Sequence, residues 1–151
     1  MKEQDYKNAK NGIKNLSNTD LSRSDLISID LSRANLAGSN LKEAHLIGTN
    51  FSGSNLKDAN LSRAKLNGAD LSKADLMGAN LTGANLSGAD LRESNLIGVD
   101  FSEANLSGAN LSRANLSGAN LARVDLSKTE LKEVDFTKAN LQEAIISNVK
   151  H

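Results

Sequence analysis

From Leu16 to Ile146 an apolar residue occupies every fifth position without a slip. Of these 27 centres, 23 are Leu, three are Phe (Phe51, Phe101 and Phe136) and the last is Ile146. The residue two places before each centre is nearly always small or β-branched, as at Ala34, Ser54, Ala79, Val99 and Ala119. The residue one place before is usually Asn or Asp, so a typical stretch reads Ala79-Asn80-Leu81-Thr82-Gly83-Ala84-Asn85-Leu86. A fixed short period with no spacer marks an array of like units, and the array has to be read before any single element.

An α-helix does not suit this period. Five residues advance about 500° around a helix and smear the Leu positions over the whole cylinder. A coiled coil needs heptads and fails for the same reason. Over three residues the pattern is strand-like: Ala79 and Leu81 point one way and Asn80 the other. Thr82 and Gly83 then redirect the chain. A short extended piece followed by a turn, repeated, gives an all-β solenoid whose inside collects the centres and the small residues before them. Successive coils pair backbone to backbone at roughly 4.8 Å. One inserted residue would exchange inside for outside. The expected core includes Leu16, Leu31, Phe51, Leu71, Leu91, Phe101, Leu111 and Phe136.

Two segments flank the pattern. Residues 1–13 lie outside it and form either an N-terminal cap or a flexible tail; residues 14–151 form the repeat domain. Met1 to Lys10 is polar enough for only a short helical turn or two, with Tyr6, Ala9 and Ile13 spaced to meet the first coil. An uncovered coil end exposes strand edges, which is the reason to expect a cap. At the other end Ile145 stands where Asn or Asp is usual, followed by Ile146 and Val149.

Runs such as Ala59-Asn60-Leu61-Ser62-Arg63 and Ala109-Asn110-Leu111-Ser112-Arg113 resemble the motif of the pentapeptide repeat proteins, and the resemblance covers residues 14–148. It implies a right-handed quadrilateral β-helix with four five-residue faces per coil. The repeats then make about seven coils in a rod on the order of 30 Å long. The Phe centres fall on three different faces and act as local fillers rather than one aromatic stack. Many relatives dimerise through the C-terminal coil, which makes Ile145, Ile146 and Val149 the candidate dimer interface. The alternative has the tail folding over its own coil.

The twenty-residue register also sorts the outer positions. Glycine at the last repeat position belongs mainly to two opposite faces, with Gly38, Gly78, Gly98 and Gly118 on one and Gly48, Gly68, Gly88 and Gly108 on the other. The other two faces carry charge there: Arg23, Glu43, Arg63, Glu103, Arg123 and Glu143 on one, and Arg33, Lys73, Glu93, Arg113 and Glu133 on the other. Such frequent replacement suggests that the position does not strictly require the conformations that glycine alone tolerates. Ile27 and Ile47 share one glycine-rich face, and Met77 and Ile97 share the opposite one; together they form a candidate partner surface. His45 and Lys65 replace Asn or Asp in adjacent coils, and a lone His is not a metal site.

Composition narrows the function classes. The 18 basic and 18 acidic residues balance, which argues against a general polyanion binder and denies the chain the global charge of a DNA mimic. Cysteine is absent, so disulfides and thiolate metal sites are excluded and a reducing, cytoplasmic setting is expected. The opening residues show no apolar stretch of a signal peptide, and no run is long enough to span a membrane. No phosphate loop, dinucleotide fingerprint, calcium β-helix pattern or nucleophile elbow appears. Asp70, Asp75, Asp90 and Asp100 hold a slot shared with Asn60, Asn80 and Asn95, and a slot open to amide or acid is poor evidence for acid–base catalysis.

The expectation is therefore a non-enzymatic interaction or scaffold module with a protein partner, no cofactor, no metal and no direct nucleic-acid contact. The resemblance supplies an alternative. The best understood relatives imitate B-form DNA, bind DNA gyrase and can protect it from quinolones. The candidate acidic surface for that role is Asp70, Asp90, Glu93 and Glu133, with Asp20, Glu43, Asp100 and Glu103 on another face. Arg33, Lys73, Arg92, Arg113 and Lys132 interrupt it. Projecting loops, frequent among the quinolone-protection proteins, have no room in an unbroken register.

Overall fold

The computed structural model describes residues 1–146. Parallel bridges join residues twenty apart, from Asn15–Asn35 through Asp70–Asp90 to Asp125–Ile145. One coil therefore takes four repeats, and the rod has four faces. We number the faces by their centres in the first coil: Leu16, Leu21, Leu26 and Leu31.

The five-residue unit satisfies its own backbone. In the repeat around Leu71, the Asp70 N–H donates down to Thr49 C=O at 3.0 Å, and Leu71 and Lys73 donate up to Asp90 and Arg92 at 2.7 and 2.9 Å. Ala74 N–H closes the turn onto Leu71 C=O at 3.1 Å. The remaining donor is Ser72 N–H, which points at no carbonyl and is accepted by Asp70 Oδ1 at 2.9 Å. Every donor of the unit is then paired, as a buried backbone requires. This explains the Asn/Asp preference: the slot needs a short side chain with an acceptor oxygen that reaches two residues onward. Amide and carboxylate both supply it, as Asn80 does for Thr82 and Asp100 for Ser102, each at 2.9 Å.

The turn itself corrects one expectation. Among the described residues the last repeat position lies in the left-handed region in every repeat except that of Lys128, at Arg23 (φ 57), Arg63 (φ 56), Glu93 (φ 59) and Arg113 (φ 62) as well as at the glycines. Positive φ at the third residue of a turn is the type II arrangement. The charged residues do not show that the position is relaxed. They occupy the left-handed region, which L-residues can enter at a cost of about 1 kcal/mol or more, and such residues stand mainly on the second and fourth faces, with Asn18, Ser28, Asp58 and Lys138 on the other two.

The inside is a Leu column. Leu16, Leu31, Leu71, Leu91, Leu111, Phe51 and Phe101 are fully buried. Phe136 is only partly buried, because no described residue stacks above it on its face. At the N-terminus helix α1 spans Glu3–Lys10, about two turns. It buries Ala9 completely and rests Tyr6 on the core. Lys2 N–H reaches Asp20 C=O, and the Asp5 carboxylate accepts Asp20 N–H, so α1 satisfies part of the lower edge of the first coil. Ile13 lies beyond the helix and is exposed, contrary to its expected packing role.

Gly88 isolates the backbone cost, since a Cβ added there meets nothing within 4 Å. Gly88→Ala should lower stability by about 1 kcal/mol and Gly88→Val by more. Urea denaturation measures both, and unchanged stability in Gly88→Val would contradict the strained-turn account.

Candidate functional site

Coils that satisfy their own backbone leave function to the outer side chains. Ile27 and Ile47 stand in adjacent coils on the third face, and Met77 and Ile97 in adjacent coils on the first. They are exposed at 43%, 39%, 38% and 36%, and Ile47, Met77 and Ile97 are each followed by a glycine that leaves the surface low. His45 and Lys65 lie on the third face beside Ile47. Lys65 carries no acceptor and His45 has no side-chain oxygen in the Asn position, and the backbone N–H groups of Ile47 and Asn67 find no acceptor there. At the C-terminal end Ile145 and Ile146 are exposed at 53% and 42%. Val149, the third candidate at that end, lies outside the described residues.

The acidic set is largely neutralised. Arg92 grips Asp90 with Nη2 to Oδ2 at 2.6 Å and Nε to Oδ1 at 2.9 Å. Glu133 accepts from Arg113 at 3.1 Å, and Lys73 lies 4.0 Å from Glu93. Of the four, Asp70 alone has no cation within ion-pair distance, and it accepts instead from Ser72. On the second face Arg23 pairs with Glu43 and Arg123 with Glu143, whereas Asp100 and Glu103 meet no cation. The spacing missed by sequence reasoning is the two-residue one: an Asx turn folds residue i+2 back over the carboxylate, so Arg92 is delivered onto Asp90.

The same geometry tunes the acids. The Arg92 side chain holds the Asp90 carboxyl below the usual range. Hydrogen bonds from Ser32, Ser127 and Thr137 lower Asp30, Asp125 and Asp135. For Asp100 partial burial pushes upward, but donation from Ser102 and Asn120 outweighs it and the net shift is downward. Side chains also pair between coils, as Asn55 donates to Asn35 at 3.3 Å and Asn140 to Asn120 at 3.1 Å. No group of three or more His, Cys, Asp or Glu able to hold a metal occurs among the described residues. No helix among them is long and apolar enough to cross a membrane.

A carboxylate whose folded pKa is depressed contributes stability above its unfolded value of about 4, and loses it as pH falls through the folded value. Changing Asp30, Asp100 and Asp135 together to Asn keeps the acceptor and removes the titration. The variant should melt near the parent at pH 7 and lose less Tm between pH 7 and pH 2. An acid-induced drop as large as the parent's would contradict the assignment.

Sequence and structure comparisons agree with this geometry. The pattern described as pentapeptide repeats matches in 8 copies, among them residues 15–53, 44–83, 54–92, 74–113, 84–121 and 114–150. Comparison with curated protein sequences finds no match. Among solved structures, a trypsin-treated variant of QnrB1, a plasmid-mediated fluoroquinolone resistance protein, superposes with a TM-score of 0.80 at 29% identity. The match covers 85% of this chain and 65% of QnrB1. A pentapeptide repeat protein from the Arabidopsis thaliana thylakoid lumen gives a TM-score of 0.52 at 37% identity, covering 66% of each chain. This chain thus spans about two thirds of either protein. The fold is the right-handed quadrilateral β-helix, and the chain belongs to the pentapeptide repeat family.

Proposed function

We propose that the chain is a non-enzymatic, rigid interaction rod whose occupant is another protein. The observation that carries this reading is the placing of exposed Ile27, Ile47, Met77 and Ile97 on the two low, glycine-rich faces. A rod that satisfies its own backbone presents these pairs at fixed spacing with little entropy left to lose on binding. In the same proposal the C-terminal coil, with exposed Ile145 and Ile146, is where two copies meet. The setting proposed is the cytoplasm.

A second reading, modulation of DNA gyrase by imitation of DNA, draws on the likeness to QnrB1, a fluoroquinolone resistance protein. The ion pairs at Asp90, Glu93 and Glu133 count against it, since a paired carboxylate presents little net charge to a basic channel. Supercoiling by gyrase, titrated with this protein with and without a quinolone, separates the two readings. The interaction-rod reading predicts no effect at large molar excess. Inhibition or protection that fades with added salt would establish the gyrase reading instead. Against a partner recovered by affinity capture, Ile27→Ser with Ile47→Ser should weaken binding at least about tenfold. Retention of every partner would overturn the role given to that face.

A further inference from the structure

The cross-coil ladder fails at one place among the described residues. Bridges run without interruption on the third face from Asp25–His45 to Asn85–Asn105 and resume at Asp125–Ile145, but Asn105 and Asp125 are not paired. One coil lower, Leu86 N–H donates to Asn105 C=O at 2.8 Å and Asn105 N–H to Ala84 C=O at 2.9 Å. The corresponding donors, Leu106 N–H and Asp125 N–H, find no backbone acceptor, and neither does Glu103 N–H at the turn that leads into this face. Gly108 N–H, which by the pattern should meet Ser127, meets Lys128 C=O at 2.9 Å, one residue out of step. A recess of about 330 Å³ opens there between Glu103, Asn105 and Ser107 below and Arg123, Asp125 and Lys128 above. Solvent reaches Ala104, which is 9% exposed where Ala64 and Ala84 in the same column are 1%.

The sequence supplies a cause. Three repeats among the upper coils carry Val in the slot two places before the centre, at Val99, Val124 and Val134. Its two methyl groups press on the Ala of the coil beneath, and a packed core resists added volume. The rung beside Val99, Asp100 N–H to Ala79 C=O, is 3.2 Å, and that beside Val134, Asp135 N–H to Ala114 C=O, is 3.1 Å. Every other rung of this kind is between 2.7 and 3.0 Å. Beside Val124 the rung is lost. Val124 stacks on Ala104, three residues after Phe101, which is the one Phe in a column where the other described centres are Leu.

We propose that this gap is a hinge built into the rod. The other three faces remain tied between the same coils, by Asn110–Glu130, Asn115–Asp135 and Asn120–Asn140. Opening is therefore directional: residues 121–146 tilt away on the third face and pivot about the Asn115–Asp135 rung on the opposite one. The moving unit includes the exposed Ile145 and Ile146, so the hinge sets the angle at which that end meets anything docked on it. It is independent of who the partner is.

Residue-resolved amide exchange on the full chain tests this. Leu106 and Asp125 amides should exchange at least about tenfold faster than Leu86 and Asn105. The ladder amides of Glu130 and Asn140, on the faces that flank the gap, should exchange faster than the pivot amide of Asp135 and than the ladder amides from Leu36 to Leu96. Val124→Ala and Phe101→Leu each restore the residue common in that column, so both should fold. Val124→Ala should slow Leu106 and Asp125 to the level of their neighbours and bring the upper coils to the exchange of the lower ones. Equal protection of all four reference amides in the parent would overturn the hinge. Persistence of fast exchange in both variants would overturn its steric origin.

Discussion

Everything in this molecule depends on where five backbone N–H groups go. Three cross to neighbouring coils, one closes a turn, and one is taken by the side chain before the centre. No donor is left for an irregular loop, and no residue can be added without moving every later group off its acceptor. The narrow core, built from Leu with few aromatics, suffices because the coils are joined by a lattice of such bonds on every face as well as by apolar contact. Strain at the left-handed position is tolerated for the same reason: the turn is held from both sides.

That constraint also decides what kind of function is available. Polar side chains near the backbone are already committed, Asp70 to Ser72 and Asp100 to Ser102 and Asn120. Those farther out are largely committed to one another, Arg92 with Asp90 and Arg113 with Glu133. What stays free is shape: low glycine-rich faces, a few exposed Ile and Met side chains, and the last coil. Recognition by a fixed surface is the activity such a lattice supports most directly. The open rung among the described residues lies beside Val124, and it gives the proposed hinge a single preferred direction of bending.

Much of the fold was legible in the sequence because a period of five, coupled to inside–outside alternation, admits few structures. The face on which Ile27 and Ile47 stand followed from counting in twenties, and the Leu core from the period itself. The left-handed turn was not legible: Arg63 and Glu93 in place of Gly suggested a relaxed position, whereas the neighbouring rungs hold both in the left-handed region. Ile13 had helical spacing, but α1 ends at Lys10, before it. The Asp90–Arg92 clasp and the gap at Asp125 were hidden for a related reason. Both arise from how a side chain two residues away, or one coil away, fits a slot that pattern alone treats as equivalent.

The most direct test of the lattice compares two insertions at the same point, between Gly83 and Ala84. One adds a single Ala; the other duplicates residues 64–83, a whole coil. Thermal unfolding followed by circular dichroism reads both. The account predicts that the duplicated chain folds cooperatively, with a rod about 5 Å longer. It predicts that the single insertion, by breaking every rung across that point, lowers Tm far more or abolishes the transition. Equal tolerance of the two would show that the coils are not held by their backbone register, and the account would fail at its base.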